Sequence, residues 1–198
     1  MDRISKLIKE IEEYGIKNNV PIMSEDTIET IKNIITVNEF HTILEIGTAI
    51  GYSTICFAST SGVTNITSIE RDPIRSAIAV NNVKKSELKN ITLRHTDALE
   101  IELNDKFDLI IIDAAKSQNM KFFNKFKENL NEDGIIIIDN LSFHGYVNQT
   151  ERIKSKNLRQ MVNKIRKFID FLNNNEEFTV KYIEVGDTLG VCKRKNIW

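Results

Sequence analysis

The sequence predicts an α/β fold: a doubly wound, mostly parallel seven-stranded sheet with helices on both faces and an antiparallel C-terminal hairpin. Two observations support it. Short apolar runs alternate with segments long enough for crossover helices, which is typical of strands buried on both faces of a sheet. The last two runs are instead joined by Gly186-Asp187, a hairpin signal. With 198 residues, we expect a single domain spanning residues 1–198.

The strands are predicted from apolar runs of four to eight residues. Five of these runs form the parallel part, and two near the C-terminus form the hairpin: residues 42–46, 66–69, 91–94, 109–112, 135–138, 178–185 and 188–193.

Two helices are predicted before the sheet. The first has isoleucine and leucine at helical spacing from Ile4 to Ile11, and we expect Gly15 to end it. The second is expected to begin at Asp26, because Glu29 three residues later completes a capping-box pattern. Residues 1–38 would cover either the active site or a dimer interface.

Composition and charge restrict the function. Hydrophobic residues make up 41% of the chain, enough for a packed core, and the net charge of -1 excludes nucleic-acid binding through overall charge alone. Cys56 and Cys192 form no zinc or CxxC spacing and fit a reducing compartment. The N-terminus does not resemble a secretory signal, and no apolar run approaches the ~20 residues of a membrane span. We therefore expect a cytoplasmic protein.

A glycine-containing loop follows the first predicted strand. Gly47 and Gly51 allow a sharp turn and a close approach of the backbone to a ligand, and Glu70 ends the next strand, where it can accept hydrogen bonds from a ribose. The spacing differs from the GxGxxG of dinucleotide sites, which argues against a dehydrogenase. Glu45, before the loop, would either bind a cationic amino group or order the loop.

Acidic residues follow the fourth and fifth predicted strands. Asp113 comes directly after one strand, and Asp139-Asn140 after the next. Because ligands bind beyond the carboxyl ends of parallel strands, we expect these side chains to lie together. Two carboxylates and an amide oxygen suit Mg²⁺, whereas zinc would require His or Cys.

These segments resemble the catechol-type, cation-dependent O-methyltransferases, a class I, Rossmann-like family. The resemblance is carried by residues 45–53 (EIGTAIGYS), 69–72 (IERD), 113–116 (DAAK) and 139–140 (DN), and covers the chain from about Val20 to Lys193. Ala49 departs from the wider superfamily, where glycine is usual.

The resemblance implies S-adenosylmethionine and Mg²⁺ as cofactors. It implies that Lys116 is the general base, with Asp113 as a second catalytic residue, and that Asp113, Asp139 and Asn140 bind the metal. The residues that it implies for the methyl donor are Met23, Glu45, Gly47, Ala49, Ser53, Glu70, Asp97, Ala98 and Asp113.

A narrower resemblance is to the bacterial tRNA 5-hydroxyuridine methyltransferases. It is carried by residues 20–23, 44–53, 113–116 and 139–140, by Phe143 and Gly145, and by residues 185–187. It implies methylation of 5-hydroxyuridine at wobble position 34 of tRNA, giving 5-methoxyuridine, and a homodimer.

A basic stretch between Glu151 and Lys167 is compatible with an RNA substrate, and we single out His144, Arg152 and Arg159 as candidate substrate contacts. The alternative is an ordinary solvated helix face. Three further alternatives remain open: a small catechol or hydroxycinnamoyl-type phenol as acceptor, a module that binds S-adenosylmethionine without turnover, and a dehydrogenase.

Overall fold

The computed structural model describes residues 2–149 and 153–195. The chain divides into two compact units, Met1–Leu103 and Asn104–Trp198.

The first unit contains three parallel strands and four helices. The strands are β1 (Thr42–Ile46), β2 (Asn65–Glu70) and β3 (Ile91–His95), with β2 paired to both of the others. The helices are α1 (Arg3–Lys17), α2 (Glu25–Val37), α3 (Tyr52–Ala58) and α4 (Pro73–Ser86).

Gly15 does not end the first helix, so that prediction was wrong. It lies inside α1, which continues to Lys17 and is capped by Asn18. A Cβ atom on Gly15 would stand 3.0 Å from Cδ1 of Ile22, so glycine here lets the following connector pack closely on the helix.

The prediction of Asp26 as the cap of the second helix was also wrong. Ser24 is the N-cap, with extended backbone and its Oγ accepting a hydrogen bond from the Thr27 N–H at 3.3 Å. Glu25 and Asp26 instead occupy the first turn, where their negative charges interact favourably with the positive end of the helix dipole.

In the described part of the second unit there are four strands and two α-helices. The strands are β4 (Phe107–Ile112), β5 (Leu130–Ile138), β6 (Phe178–Ile183) and β7 (Leu189–Arg194). β4 and β5 are parallel, whereas β7 pairs antiparallel with both β5 and β6. The helices are α5 (Asn119–Phe126) and α6 (Lys156–Asn173).

Among the described residues the strands have the order β3-β2-β1-β4-β5-β7-β6. β1, β2 and β3 pair in parallel, β4 and β5 pair in parallel, and the chain ends in an antiparallel hairpin. The predicted fold class is therefore confirmed. Residues 96–106, all of them described, connect β3 to β4 without a helix. Among the helices that the structure describes, none is both long and apolar enough to cross a membrane.

Aromatic packing holds the helices of the second unit to its sheet. The ring of Phe123 on α5 stands edge-on to Phe168 of α6 and to Phe178 of β6, with centroids 6.0 and 5.2 Å apart. All three side chains are buried. The opposite side of α6 is exposed and carries lysines and arginines of the basic stretch defined in the sequence analysis.

Candidate active site

The loop after β1 turns through left-handed backbone. Gly47, Ala49 and Gly51 have φ of 109°, 46° and 84°. The Gly47 N–H donates to the carbonyl of Ile69 at 2.9 Å, which ties the loop to the end of β2. The loop therefore has the sharp course that its glycines predicted, and it leads directly into α3.

Glu70 braces this loop. One of its carboxylate oxygens accepts the Ala49 N–H and the other accepts the Asp72 N–H, each at 2.8 Å. Each carboxylate oxygen has a second lone pair, so these bonds leave Glu70 able to accept the hydroxyls of a ribose. The carboxylate is half-buried at the end of β2, so part of it is accessible to a bound molecule.

Glu45 lies beneath the loop and is only 1% exposed. Its carboxylate accepts hydrogen bonds from the hydroxyl of Ser53, at 2.5 Å, and from those of Thr54 and Ser68. Of the two roles considered for Glu45, this arrangement favours ordering of the loop, because the three donors join β1, α3 and β2. The sequence analysis did not anticipate Thr54 and Ser68, which carry no motif.

The remaining candidates for the methyl donor in the first unit lie near the end of β3 and before α2. Asp97 accepts the Leu99 N–H at 2.9 Å and forms an ion pair with Arg71 at 3.5 Å. Ala98 and Met23 are buried. Glu70 ends β2 and Asp97 lies two residues after β3, so both are at the carboxyl ends of parallel strands, the edge at which open α/β sheets bind ligands.

In the second unit, acidic residues follow β4 and β5 as predicted. Ile112 and Ile138 are paired in the parallel ladder, so Asp113 and Asp139 leave the sheet at adjacent positions. Lys116, the first residue of a short 3₁₀ turn, donates back to Asp113 Oδ1 at 2.5 Å. The predicted base and acids therefore lie together within this unit.

Asp139 is buried, with 3% of its surface exposed. Burial and, after it, the negative charge of Asp113 raise its pKa to about 6, against the opposing charge of Lys116. The Asn140 N–H donates to Asp139 Oδ1 at 2.7 Å. Burial is the larger cause, and the smaller contribution from Asp113 reflects the closeness of the two carboxylates at the ends of β4 and β5.

The donor set fits a hard divalent cation. Asp113 and Asp139 supply carboxylate oxygens and Asn140, with φ of 60°, can supply an amide oxygen. Within residues 2–149 and 153–195, no group of three or more His, Cys, Asp or Glu side chains could hold a metal ion, so a site here depends on Asn140 and on oxygens from water or substrate.

Asp187, which the sequence analysis placed in the hairpin turn and in the narrower resemblance but gave no role, contacts the segment after Asn140. Its carboxylate accepts the Ser142 hydroxyl and the His144 N–H. The His144 side chain is 74% exposed, and its ring centroid lies 5.3 Å from that of Phe143. The one sequence signal for this contact is the acidic side chain of Asp187, which lies 43 positions from His144 in the chain.

The other predicted substrate contacts belong to the basic stretch. Arg152 lies outside the described residues. Arg159 is exposed on α6, and its guanidinium donates to the carbonyl of Ile153 at 2.8 Å. Five further lysines and arginines of the stretch are exposed: Lys154, Lys156, Lys164, Arg166 and Lys167.

A family model described as O-methyltransferase matches residues 2–195 of this chain. Among solved structures, a Staphylococcus aureus protein with the provisional name of caffeoyl-CoA O-methyltransferase is 35% identical. Its TM-score is 0.90, and the match covers 95% of this chain and 92% of that one. An O-methyltransferase of Bacillus cereus, solved with S-adenosylhomocysteine, has a TM-score of 0.81 at 24% identity and covers 96% and 91% of the two chains, which supports the fold.

A curated relative from Arabidopsis thaliana, also provisionally named as a caffeoyl-CoA O-methyltransferase, is 25% identical over 97% of this chain and 88% of its own length. Because the family model spans nearly every residue, the chain belongs to the O-methyltransferase family, which confirms the predicted class of S-adenosylmethionine-dependent O-methyltransferase.

Proposed function

We propose that this protein is a Mg²⁺-dependent enzyme that moves the methyl group of S-adenosylmethionine to the 5-hydroxyl of 5-hydroxyuridine in tRNA, at wobble position 34. The observation that carries the chemistry is the group formed by Asp113, Lys116, Asp139 and Asn140 at the ends of β4 and β5. A module that only binds the methyl donor would have no use for this group.

The methyl donor is assigned to the first unit. Glu70 accepts the ribose hydroxyls, and Asp97 with Ala98 borders the adenine. Glu45 and Ser53 border the donor at the loop, which Glu45 also orders by accepting the Ser53 hydroxyl. Gly47, Ala49 and Met23 complete the cofactor surface of this unit in the proposal.

Lys116 acts as the general base. Its Nζ stands beside the Asp113 carboxylate, which holds the side chain at the end of β4, with 13% of the lysine side chain exposed. A Mg²⁺ ion held by Asp113, Asp139 and Asn140 would acidify the acceptor hydroxyl and fix its direction. The acceptor therefore needs two neighbouring oxygens, which the 5-hydroxyl and 4-carbonyl of 5-hydroxyuridine provide.

The exposed face of α6 supports an RNA acceptor. Residues 153–169 contain six lysines or arginines and no acid. Lys156, Arg159, Arg166 and Lys167 fall on the side of the helix opposite to its buried Val162, Ile165, Phe168 and Leu172. Exposed cations on one side of a helix can pair with backbone phosphates.

A second acceptor class, small catechols and hydroxycinnamoyl-type phenols, is favoured by the provisional names of the S. aureus and A. thaliana relatives. These compounds also present two neighbouring oxygens, so the same group of residues would serve both. We also propose a homodimer in the cytoplasm, with residues 1–38 covering the active site or the dimer interface.

The test is transfer of labelled methyl groups from S-adenosylmethionine, with Mg²⁺, to tRNA that carries 5-hydroxyuridine or to a catechol. Label in tRNA that disappears with a chelator is the expected result. Label in the catechol alone would show that a small phenol, not tRNA, is the acceptor, and would leave the proposed chemistry in place. Transfer that continues in the presence of the chelator would contradict the requirement for a metal ion.

Variants in each unit test the catalytic role and the cofactor-binding role separately in the same assay. Lys116→Ala should lose at least about a hundredfold in kcat, the usual contribution of a general base, with the Kd for S-adenosylmethionine unchanged. Glu70→Ala should raise that Kd instead. Lys121→Ala, an exposed lysine of α5, is the matched control. Normal turnover of Lys116→Ala would remove this residue from the mechanism.

The α6 surface is tested by tRNA binding at several salt concentrations. Replacing Lys156, Arg159, Arg166 and Lys167 with alanine should weaken binding and reduce the salt slope by about one for each phosphate that is no longer neutralised. Lys6→Ala with Lys9→Ala, both exposed on α1, is the control. An unchanged salt slope would leave this face as a solvated surface.

A further inference from the structure

The geometry points to Asp187 as a positioning residue for the acceptor, which rests on the methyl transfer proposed above. Its carboxylate fixes the segment of residues 141–149, which follows Asp139 and Asn140 directly. Through this segment it sets the direction of the aromatic pair Phe143 and His144.

The segment has an unusual backbone. Asn140, Phe143 and His144 have φ of 60°, 46° and 55°, and Gly145 follows with φ of 78°. Left-handed backbone is unfavourable for residues with a Cβ atom, and two such residues in succession persist only where their surroundings hold them. The Phe143-His144 pair therefore needs an external constraint.

Asp187 supplies that constraint. Its Oδ1 and Oδ2 each lie 2.8 Å from the His144 backbone nitrogen, and Oδ1 also accepts the Ser142 hydroxyl. The Asp187 carbonyl accepts the Ser142 N–H at 3.1 Å. The side chain of Asp187 is 15% exposed, so water competes weakly for these bonds.

The start of the segment is fixed by close packing on β7. The Leu141 N–H donates to the Thr188 carbonyl at 3.0 Å. A Cβ atom on Gly190 would stand 2.5 Å from Leu141 Cδ1, so Gly190 is what allows Leu141 to lie there. Gly190 pairs with Ile138, the last residue of β5, and the hairpin therefore holds both sides of Asp139-Asn140.

The position of this segment is expected to affect how the acceptor binds. His144 is largely exposed and its ring lies against that of Phe143, within four residues of Asn140. The proposal places a planar acceptor ring bound at Asp139 and Asn140 against these rings, because the segment that carries them follows Asn140 directly. When the Asp187 carboxylate is removed, the segment relaxes from its left-handed course and the rings lose their direction, while the ligands of the methyl donor in the first unit are untouched.

The experiment compares Asp187→Ala and Asp187→Asn with wild type in the full-length protein. Glu184→Ala, an exposed acid in the same hairpin, is the control. Chymotrypsin cleavage after Phe143 and Tyr146, the Kd for S-adenosylmethionine, and KM and kcat for the acceptor are measured. Asp187→Ala should raise the cleavage rate and the acceptor KM by about tenfold each, the scale expected when hydrogen bonds to a carboxylate are removed, with the cofactor Kd unchanged.

Asp187→Asn keeps one carbonyl oxygen for Ser142 and His144, so it should restore most of the protection and of the KM. If Asp187→Ala fails to fold, Ser142→Ala, which removes one donor to this carboxylate, takes its place and should shift both quantities in the same direction. Cleavage of Asp187→Ala at the wild-type rate, or a normal acceptor KM, would overturn the proposal. If wild type methylates no acceptor, the proposed function fails, and the cleavage rates alone decide whether Asp187 holds the segment.

Discussion

Asp139→Asn should stabilise the metal-free protein at neutral pH. The substitution keeps the shape of the side chain and the oxygen that accepts the Asn140 N–H at 2.7 Å, but removes the buried charge. That charge is unfavourable because burial and the neighbouring charge of Asp113 raise the pKa of Asp139 from its usual 3.8 to about 6.

The size of the effect follows from the pKa. A rise from 3.8 to about 6 corresponds to about 3 kcal/mol between the charged and neutral forms of Asp139, an upper limit because the charges of Asp113 and Lys116 act on this carboxyl in opposite directions. The folded protein binds the proton more tightly than the unfolded chain. The free energy of unfolding of wild type therefore falls as pH rises from about 4 to about 6, and then levels off.

Urea unfolding of both proteins at about pH 4.5 and about pH 7.5, in a chelator, measures this directly. The advantage of Asp139→Asn should be largest at the higher pH and shrink towards zero at the lower one. Added Mg²⁺ should stabilise wild type and have much less effect on the variant, since ligands that bind only the folded state stabilise it. An asparagine variant that is less stable than wild type at the higher pH without metal would refute the reasoning.

Three further predictions concern stability and reactivity. Gly51→Ala should destabilise the protein by about 1–2 kcal/mol in urea unfolding, because φ is 84° while the nearest contact of a new Cβ, with Ala79, is an ordinary 3.5 Å; an unchanged midpoint would contradict this. Asn119→Leu should be neutral or stabilising by about 1 kcal/mol, because both polar atoms of this buried side chain lack a hydrogen-bond partner in the described structure; a destabilisation above this size would show that the amide is satisfied. Burial raises the pKa of the Cys56 and Cys192 thiols to about 12, so native protein at about pH 8 should resist iodoacetamide, and rapid alkylation would contradict their burial.

The sequence located the parallel strands well because an uninterrupted apolar run has few alternatives in a domain of this size. The exception is β5, which begins at Leu130 rather than at residue 135. Asn131, Glu132 and Asp133 interrupt the apolar pattern there, and the ladder with β4 shifts register at the same place. Polar residues beside a register shift give no periodic signal, so the early part of β5 could not be predicted.

The two errors in the N-terminal helices have a common physical cause. Gly15 and Asp26 are residues that terminate or cap helices in general, but each has a second use that depends on a neighbour. Gly15 makes room for Ile22, and Asp26 gives way to Ser24, whose hydroxyl is better placed to accept the Thr27 N–H. Local preference is a weak signal when packing decides between two such uses.

The candidate site was predictable in its acids and not in its supporting contacts. Asp113 and Asp139 follow strands, and strand order alone places them. The hydroxyls that hold Glu45 come from positions 53, 54 and 68, and Asp187 reaches a segment 43 residues away. No motif links such positions, because what joins them is the three-dimensional arrangement of the sheet.

The charge balance at the ends of β4 and β5 argues for a cation rather than for a structural ion pair. Lys116 compensates one carboxylate, Asp113, while the charge of Asp187 adds to the unfavourable environment of Asp139. A network that served stability alone would pair or neutralise its buried acid, as an asparagine at position 139 would do. Retaining the carboxylate is unfavourable for the folded chain by itself, and becomes favourable when a divalent cation shares both acids, which is why the stability of Asp139→Asn with and without Mg²⁺ bears directly on the chemistry proposed.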